Sequence, residues 1–219
     1  MPPIPPDRHR DPLLLLALTC GLTLGWLLVG LVLVETPEKM FAETGPIESA
    51  SAFYLIVTAL WLASDMMRRR ALERWHLLVF VTAAGLRELD WDKAFTDSGI
   101  LSLRLYSGTA PWVQKIAGAL VLTLLICAGL RLLRRDLVPW LQGLRRRQDW
   151  AWVLAVALAL YVIAKSLDGL GRKLAPWGIE LSDWASRSAG RSEEVMELVG
   201  ALLLMQGAGL ILLRRRLRY

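Results

Sequence analysis

An all-α, polytopic membrane helix bundle of six transmembrane helices is the fold class that the sequence predicts, and three observations predict it. Hydrophobic residues make up 55% of the 219, with a mean hydropathy of +0.42, beyond what the core of a water-soluble domain requires. Apolar runs of roughly 20 residues, the length that crosses a bilayer core, recur along the chain. The arginines collect at alternate junctions between those runs.

The opening segment, "MPPIPPDRHRDP", is Pro-rich and too short to fold alone, so residues 1–11 read as a cytoplasmic tail. Asp11 followed by Pro12 reads as an N-cap and first helical residue of a span over 12–34. A cleaved signal peptide is the competing reading. The apolar run is longer than a usual signal core, and no Ala-x-Ala site follows it. Further spans are expected over 48–67, 75–95, 112–132, 149–167 and 195–213, giving a transmembrane domain over 12–213 and a basic cytoplasmic tail over 214–219. The 75–95 span is the least apolar, because the stretch "GLRELDWDKAFTDSGI" loads its end with charge.

Six spans with a cytoplasmic N-terminus place Arg8 and Arg10, "RRRALER", "RLLRRDLVPWLQGLRRR" and the terminal "RRRLR" on one side. These hold sixteen of the 26 basic residues. The positive-inside rule then orients the bundle N-in and C-in. Tryptophans near the predicted interfaces fit the same map. Cys20 and Cys127 lie inside apolar runs, so no disulfide framework is expected. The formal charge of +6 follows from this topology and calls for membrane lipids, not nucleic acid, as partners. "GLTLG", Gly21 to Gly25, is a small-xxx-small face expected to pack within the bundle, with a homo-oligomer or other protein partner as the alternative.

Acids set topology weakly, yet fourteen of the 20 fall on the outer side in this map. Four segments carry polar groups there: "ETGPIES", "RELDWDK", "KSLDGLGRK" and "SEEVMELVG". On a helix Glu88 and Asp92 share a face, as do Glu193 and Glu197. Like charges so placed persist only when protonated, paired with Arg or Lys, or holding a cation. Helix-end chemistry competes for some of them, with Glu193 and Glu194 in a first helical turn behind Ser192, Glu48 behind Pro46, and Asp97 and Asp183 in turns. It leaves Glu197, Lys165 and Glu88 unexplained.

The candidate catalytic set is Glu88, Asp90, Asp92, Glu194 and Glu197, for metal ligation or general acid and base work. Arg87, Arg104, Tyr106 and Lys165 are candidates to bind substrate, the arginines through a phosphate. Glu48, Glu88, Asp92, Asp168, Glu194 and Glu197 are candidate metal ligands. The only histidines, His9 and His76, fall on the cytoplasmic side, so a cofactor metal would be Mg, Mn or Ca rather than Zn. There is no Walker loop, nucleophile elbow, dinucleotide fingerprint or internal repeat.

"RELDWDKAFTDSGILSLRLY", with "SLDGL" and "SEEVMELVGALL" downstream, resembles a family of uncharacterised bacterial multi-pass membrane proteins with an Arg-Glu-Met-Asp-Phe-His-like motif. The resemblance makes Arg87, Glu88, Asp90, Thr96, Arg104, Tyr106, Lys165, Asp168, Glu194 and Glu197 its polar positions and implies the bacterial inner membrane. This chain has Asp92 where that motif has His. "GPIESASAFY" is distantly similar to a helix start of the alkaline ceramidase superfamily, whose zinc-binding histidines have no counterpart in the outer half here. Three functions follow as expectations: an enzyme, metal-dependent, acting on a lipid or lipid-linked substrate; a non-catalytic accessory or assembly protein whose polar cluster is structural; and, third, a small transporter.

Overall fold

The computed structural model describes residues 10–34, 36–42, 45–70, 72–96 and 99–216. It is 86% helical, with no strand among the described residues. The helices are α1 (Arg10–Leu33), α2 (Pro46–Arg69), α3 (Trp75–Glu88), α4 (Trp91–Phe95), α5 (Leu103–Ser107), α6 (Trp112–Arg135), α7 (Leu137–Arg145), α8 (Asp149–Leu167), α9 (Leu170–Leu174) and α10 (Asp183–Arg216). In hydrocarbon every backbone N–H and C=O needs an internal partner, and a helix supplies one within its own segment. Among the described residues five helices, α1, α2, α6, α8 and α10, are long and apolar enough to cross a bilayer. Their outward leucines and valines, with Leu22 64% and Val32 83% exposed, form the kind of surface that lipid covers and that water would not tolerate.

The chain divides into two units, one of residues up to Tyr54 with 148–219 and one of Leu55–Arg147, with α2 passing from the first to the second. In the first, α8 and α10 run antiparallel. Lys165 at the end of α8 reaches Glu193 and Glu197, while Leu154 near its start packs on Gly207. Added Cβ atoms would lie 2.9 Å from the Tyr161 ring at Gly200 and 2.6 Å from Leu154 at Gly207. Two missing side chains, seven residues apart, therefore let the helices approach closely. Helix α1 is antiparallel to α10 as well. Gln206 Nε2 donates to the Pro12 carbonyl at 2.7 Å in the first turn of α1, and Arg191 meets Glu38 and Phe41 beyond its other end. The Thr23 and Tyr54 hydroxyls share a hydrogen bond of 2.8 Å, and Trp26 Nε1 donates to the Pro46 carbonyl at 2.8 Å. These fix the start of α2 against α1.

In the second unit, Gly85 of α3 sits under Leu55 of α2, with an added Cβ 3.3 Å from the Leu55 Cβ. Helices α3 and α6 are antiparallel neighbours, since His76 in the first turn of α3 meets Asp136 just past α6. Leu105 of α5 is fully buried, and a Cβ at Gly118 of α6 would lie 2.9 Å from it.

Four expectations change. The helix expected over 75–95 stops at Glu88, after 14 residues and about 21 Å. Asp90 then turns the backbone left-handed at φ 51° before α4 begins, so Glu88 and Asp92 stand on separate helices rather than on one face. Helix α10 starts at Asp183, not near 195, so Glu193 and Glu194 lie about three turns in, beyond the reach of capping. A Cβ added at Gly21 or Gly25 meets nothing within 4 Å among the described residues, and both glycines, with Leu18, Leu22 and Trp26, line an open groove on α1. The inner face of α1 is the one carrying Thr19, Thr23 and Gly30, which leaves the Gly21–Gly25 face turned away. The tail with Arg8 and His9, Asp97, and residues 217–219 lie outside the described residues.

Candidate functional site

The end of α8 is set by sequence. Asp168 is its C-cap residue, and Gly169 at φ 58° takes the left-handed conformation that ends a helix without a Cβ clash. Lys165 occupies the last turn, where a cation complements the helix dipole. The reversal into α9 folds Lys173 back, and its Nζ donates to the Lys165 carbonyl at 2.6 Å. Along α8, Tyr161, Lys165 and Asp168 recur at spacings of four and three, one helical face. Glu193, Glu197 and Gly200 recur likewise along α10. Antiparallel packing turns these two faces toward each other, with the Tyr161 ring over Gly200.

The Lys165 ammonium is the centre of the result. It donates to Glu193 Oε1 at 3.2 Å, lies 2.8 Å from Glu197 Oε1 in charge contact, and stands 3.8 Å from Asp168 Oδ2. The Glu197 and Glu193 side chains are 8% and 14% exposed, whereas Lys165 and Asp168 are 35% and 43% exposed. The cluster is therefore buried on its α10 side and open on its α8 side. At such burial an ion pair contributes little net stability, because desolvation consumes most of the Coulomb gain. Removing one partner is nevertheless costly.

Of the candidate site residues, the structure brings together Lys165, Asp168 and Glu197, and joins to them Glu193, which the spacing had placed on the face of Glu197. Glu194 is half-buried on the same helix, and Glu48 lies in the first turn of α2, where an acid complements the helix dipole. In the second unit, Arg87, Glu88 and Asp90 stand at the end of α3, with Arg87 exposed and both acids half-buried. The Asp92 side chain lies outside what is described. Arg104 is exposed on α5, and the Tyr106 hydroxyl donates to the Ile100 carbonyl at 2.7 Å, a bond that closes its own loop. Among the described residues, no three His, Cys, Asp or Glu side chains are grouped to hold a metal ion. Where Asp168, Glu193 and Glu197 converge, the cation is an ammonium.

Sequence reasoning passed over one polar contact. His76, completely buried, contacts Asp136 at 2.6 Å through Nε2, and its buried Nδ1 has no hydrogen-bond partner among the described residues. Beside it Glu73 accepts from Arg135 at 2.6 Å, and its carbonyl accepts from Arg131 at 3.2 Å. The available signal was a lone histidine opening an apolar helix and a lone aspartate among arginines. Neither stands out without the antiparallel packing of α3 and α6.

Fold and cluster together are those of an all-helical chain, compatible with a multi-pass membrane protein, with an ionic contact between two antiparallel helices. Comparison with protein-family models, with curated proteins and with solved structures found no match to this chain.

Proposed function

We propose that this chain is a non-catalytic accessory or assembly protein of the bacterial inner membrane, in which the Lys165 cluster clamps α8 to α10. The single observation that carries this reading is that Lys165 meets Glu193 and Glu197, two carboxylates of the neighbouring helix, within 3.2 Å. Glu197 and Asp168, both candidates for catalytic or metal-binding roles, thus have a resident organic cation. A clamp needs such mutual contacts, whereas a hydrolase or transferase needs an unfilled position beside its acids.

The proposed topology is six crossings, N-in and C-in, with α3 as a short third crossing. Within the first unit, the start of α1 and the latter half of α10 lie at the same end, which supports an even number of crossings. If α3 did not cross, Arg68 to Arg74 and Arg131 to Arg147 would fall on opposite sides, against the positive-inside rule.

The test replaces the charges together, in the variant Lys165→Met/Glu193→Leu/Glu197→Met. A clamp tolerates a well-packed apolar substitute, so this variant is expected to fold, to capture on cross-linking the same partner as wild type, and to leave the host lipid profile unchanged. A lipid conversion present with wild type and lost with a folded variant would refute the clamp and establish the enzyme reading.

A further inference from the structure

We propose that the segment from Arg134 to Arg147, built around α7, binds the headgroups of anionic phospholipids in the leaflet it lies against. Helix α7 has nine residues, about 14 Å, and cannot cross a bilayer. It joins α6 directly to α8, both long and apolar enough to span, so it lies at a membrane surface. Its faces suit that position. Gly143 is buried, whereas Val138 and Leu141, three apart, are 56% and 42% exposed on the outward side. An exposed apolar pair beside arginines is the pattern of a helix resting on acyl chains with its cations among headgroups.

The charge balance identifies the occupant. Arg134, Arg145, Arg146 and Arg147 are all exposed, and among the described residues none of them meets a carboxylate. Of the nearby acids, Glu73 pairs with Arg135 and Asp136 with His76, while Asp149 stands in the first turn of α8. Arg147, at φ 50°, reverses the chain immediately after α7, so three consecutive guanidiniums crowd one turn. Four cations without protein counter-ions, at the depth of lipid phosphates and carrying donors shaped for phosphate oxygens, select an anionic lipid. The Asp136 contact with buried His76 anchors the start of α7 and so fixes where these arginines stand.

The experiment uses the purified full-length chain in detergent, with phosphatidylglycerol or phosphatidylethanolamine added at matched concentration and bound lipids counted by native mass spectrometry. Wild type is expected to retain phosphatidylglycerol preferentially. Arg145→Gln/Arg146→Gln/Arg147→Gln is expected to lose at least about tenfold of that binding, since each surface arginine is worth roughly a factor of five, and the triple Arg→Lys variant to keep most of it. Equal retention by the Gln variant, or no headgroup preference in wild type, would overturn the proposal. So would stronger binding of inorganic phosphate or a short oligonucleotide. If the Gln variant does not fold, wild type alone decides the matter. Its bound phosphatidylglycerol must fall as sodium chloride rises from about 0.05 to about 0.5 M, because exposed charges are screened, and an unchanged count refutes the binding.

Discussion

Replacing Lys165 with methionine removes the ammonium that Glu193 and Glu197 share while keeping an unbranched side chain of similar length. The two Oε1 atoms lie 3.2 and 2.8 Å from the same nitrogen, so they stand at most about 6 Å apart. At an effective dielectric constant of about 20, two unit charges at that separation repel by about 3 kcal/mol. Lys165 is about a third exposed, and water reaching the vacated position lowers the expected loss to about 2 kcal/mol. The substitution Glu197→Gln should destabilise wild type by about 1 kcal/mol, yet stabilise the Lys165→Met variant by about as much, giving a coupling near 2 kcal/mol. Equilibrium unfolding in mixed micelles, followed by the fluorescence of the ten tryptophans, measures all four proteins. The reasoning is refuted if Lys165→Met unfolds within about 0.5 kcal/mol of wild type, or if Glu197→Gln has the same effect in both backgrounds.

The same unfolding assay checks two further expectations. Gly200→Ala forces a Cβ into the Tyr161 ring at 2.9 Å and should cost about 1–3 kcal/mol, whereas Gly21→Ala and Gly25→Ala meet open space and should fall within about 0.5 kcal/mol of wild type. His76→Ala empties a completely buried site and strips Asp136 of its partner, for a loss of about 2–4 kcal/mol; Asp136→Asn, which keeps a polar neighbour for Nε2, should cost about 1 kcal/mol.

The long helices were legible because hydrocarbon imposes one rule on a spanning segment. The expected 149–167 coincides with α8 and 112–132 lies within α6, while α1 and α2 differ from expectation by two residues or fewer at each end. The breaks in polar stretches were not legible. Nothing in "RELDWDK" announces that Asp90 adopts positive φ, and the apolar-run criterion could not extend α10 back through "DWASRSAGRSEE", where the helix leaves the apolar run. Charge spacing placed Glu193 and Glu197 on one face correctly, and their partner Lys165 was already among the candidates. The pairing itself required knowing that α8 and α10 are antiparallel neighbours. The His76–Asp136 contact, 60 positions apart in sequence, needed the same knowledge for α3 and α6.

The meeting of Tyr161 with Gly200 also decides which of several sliding positions the α8–α10 pair can occupy. Because carboxylates recur one turn apart at 193 and 197, moving α10 by a turn in either direction would still offer Lys165 one glutamate. Electrostatics alone would thus separate neighbouring alignments only by the one carboxylate that Lys165 loses. The same move would bring Met196 or Leu204 beneath the Tyr161 ring in place of Gly200, where even one methyl group has no room. The charged residues make the two helices adhere, and the absent side chain singles out one alignment.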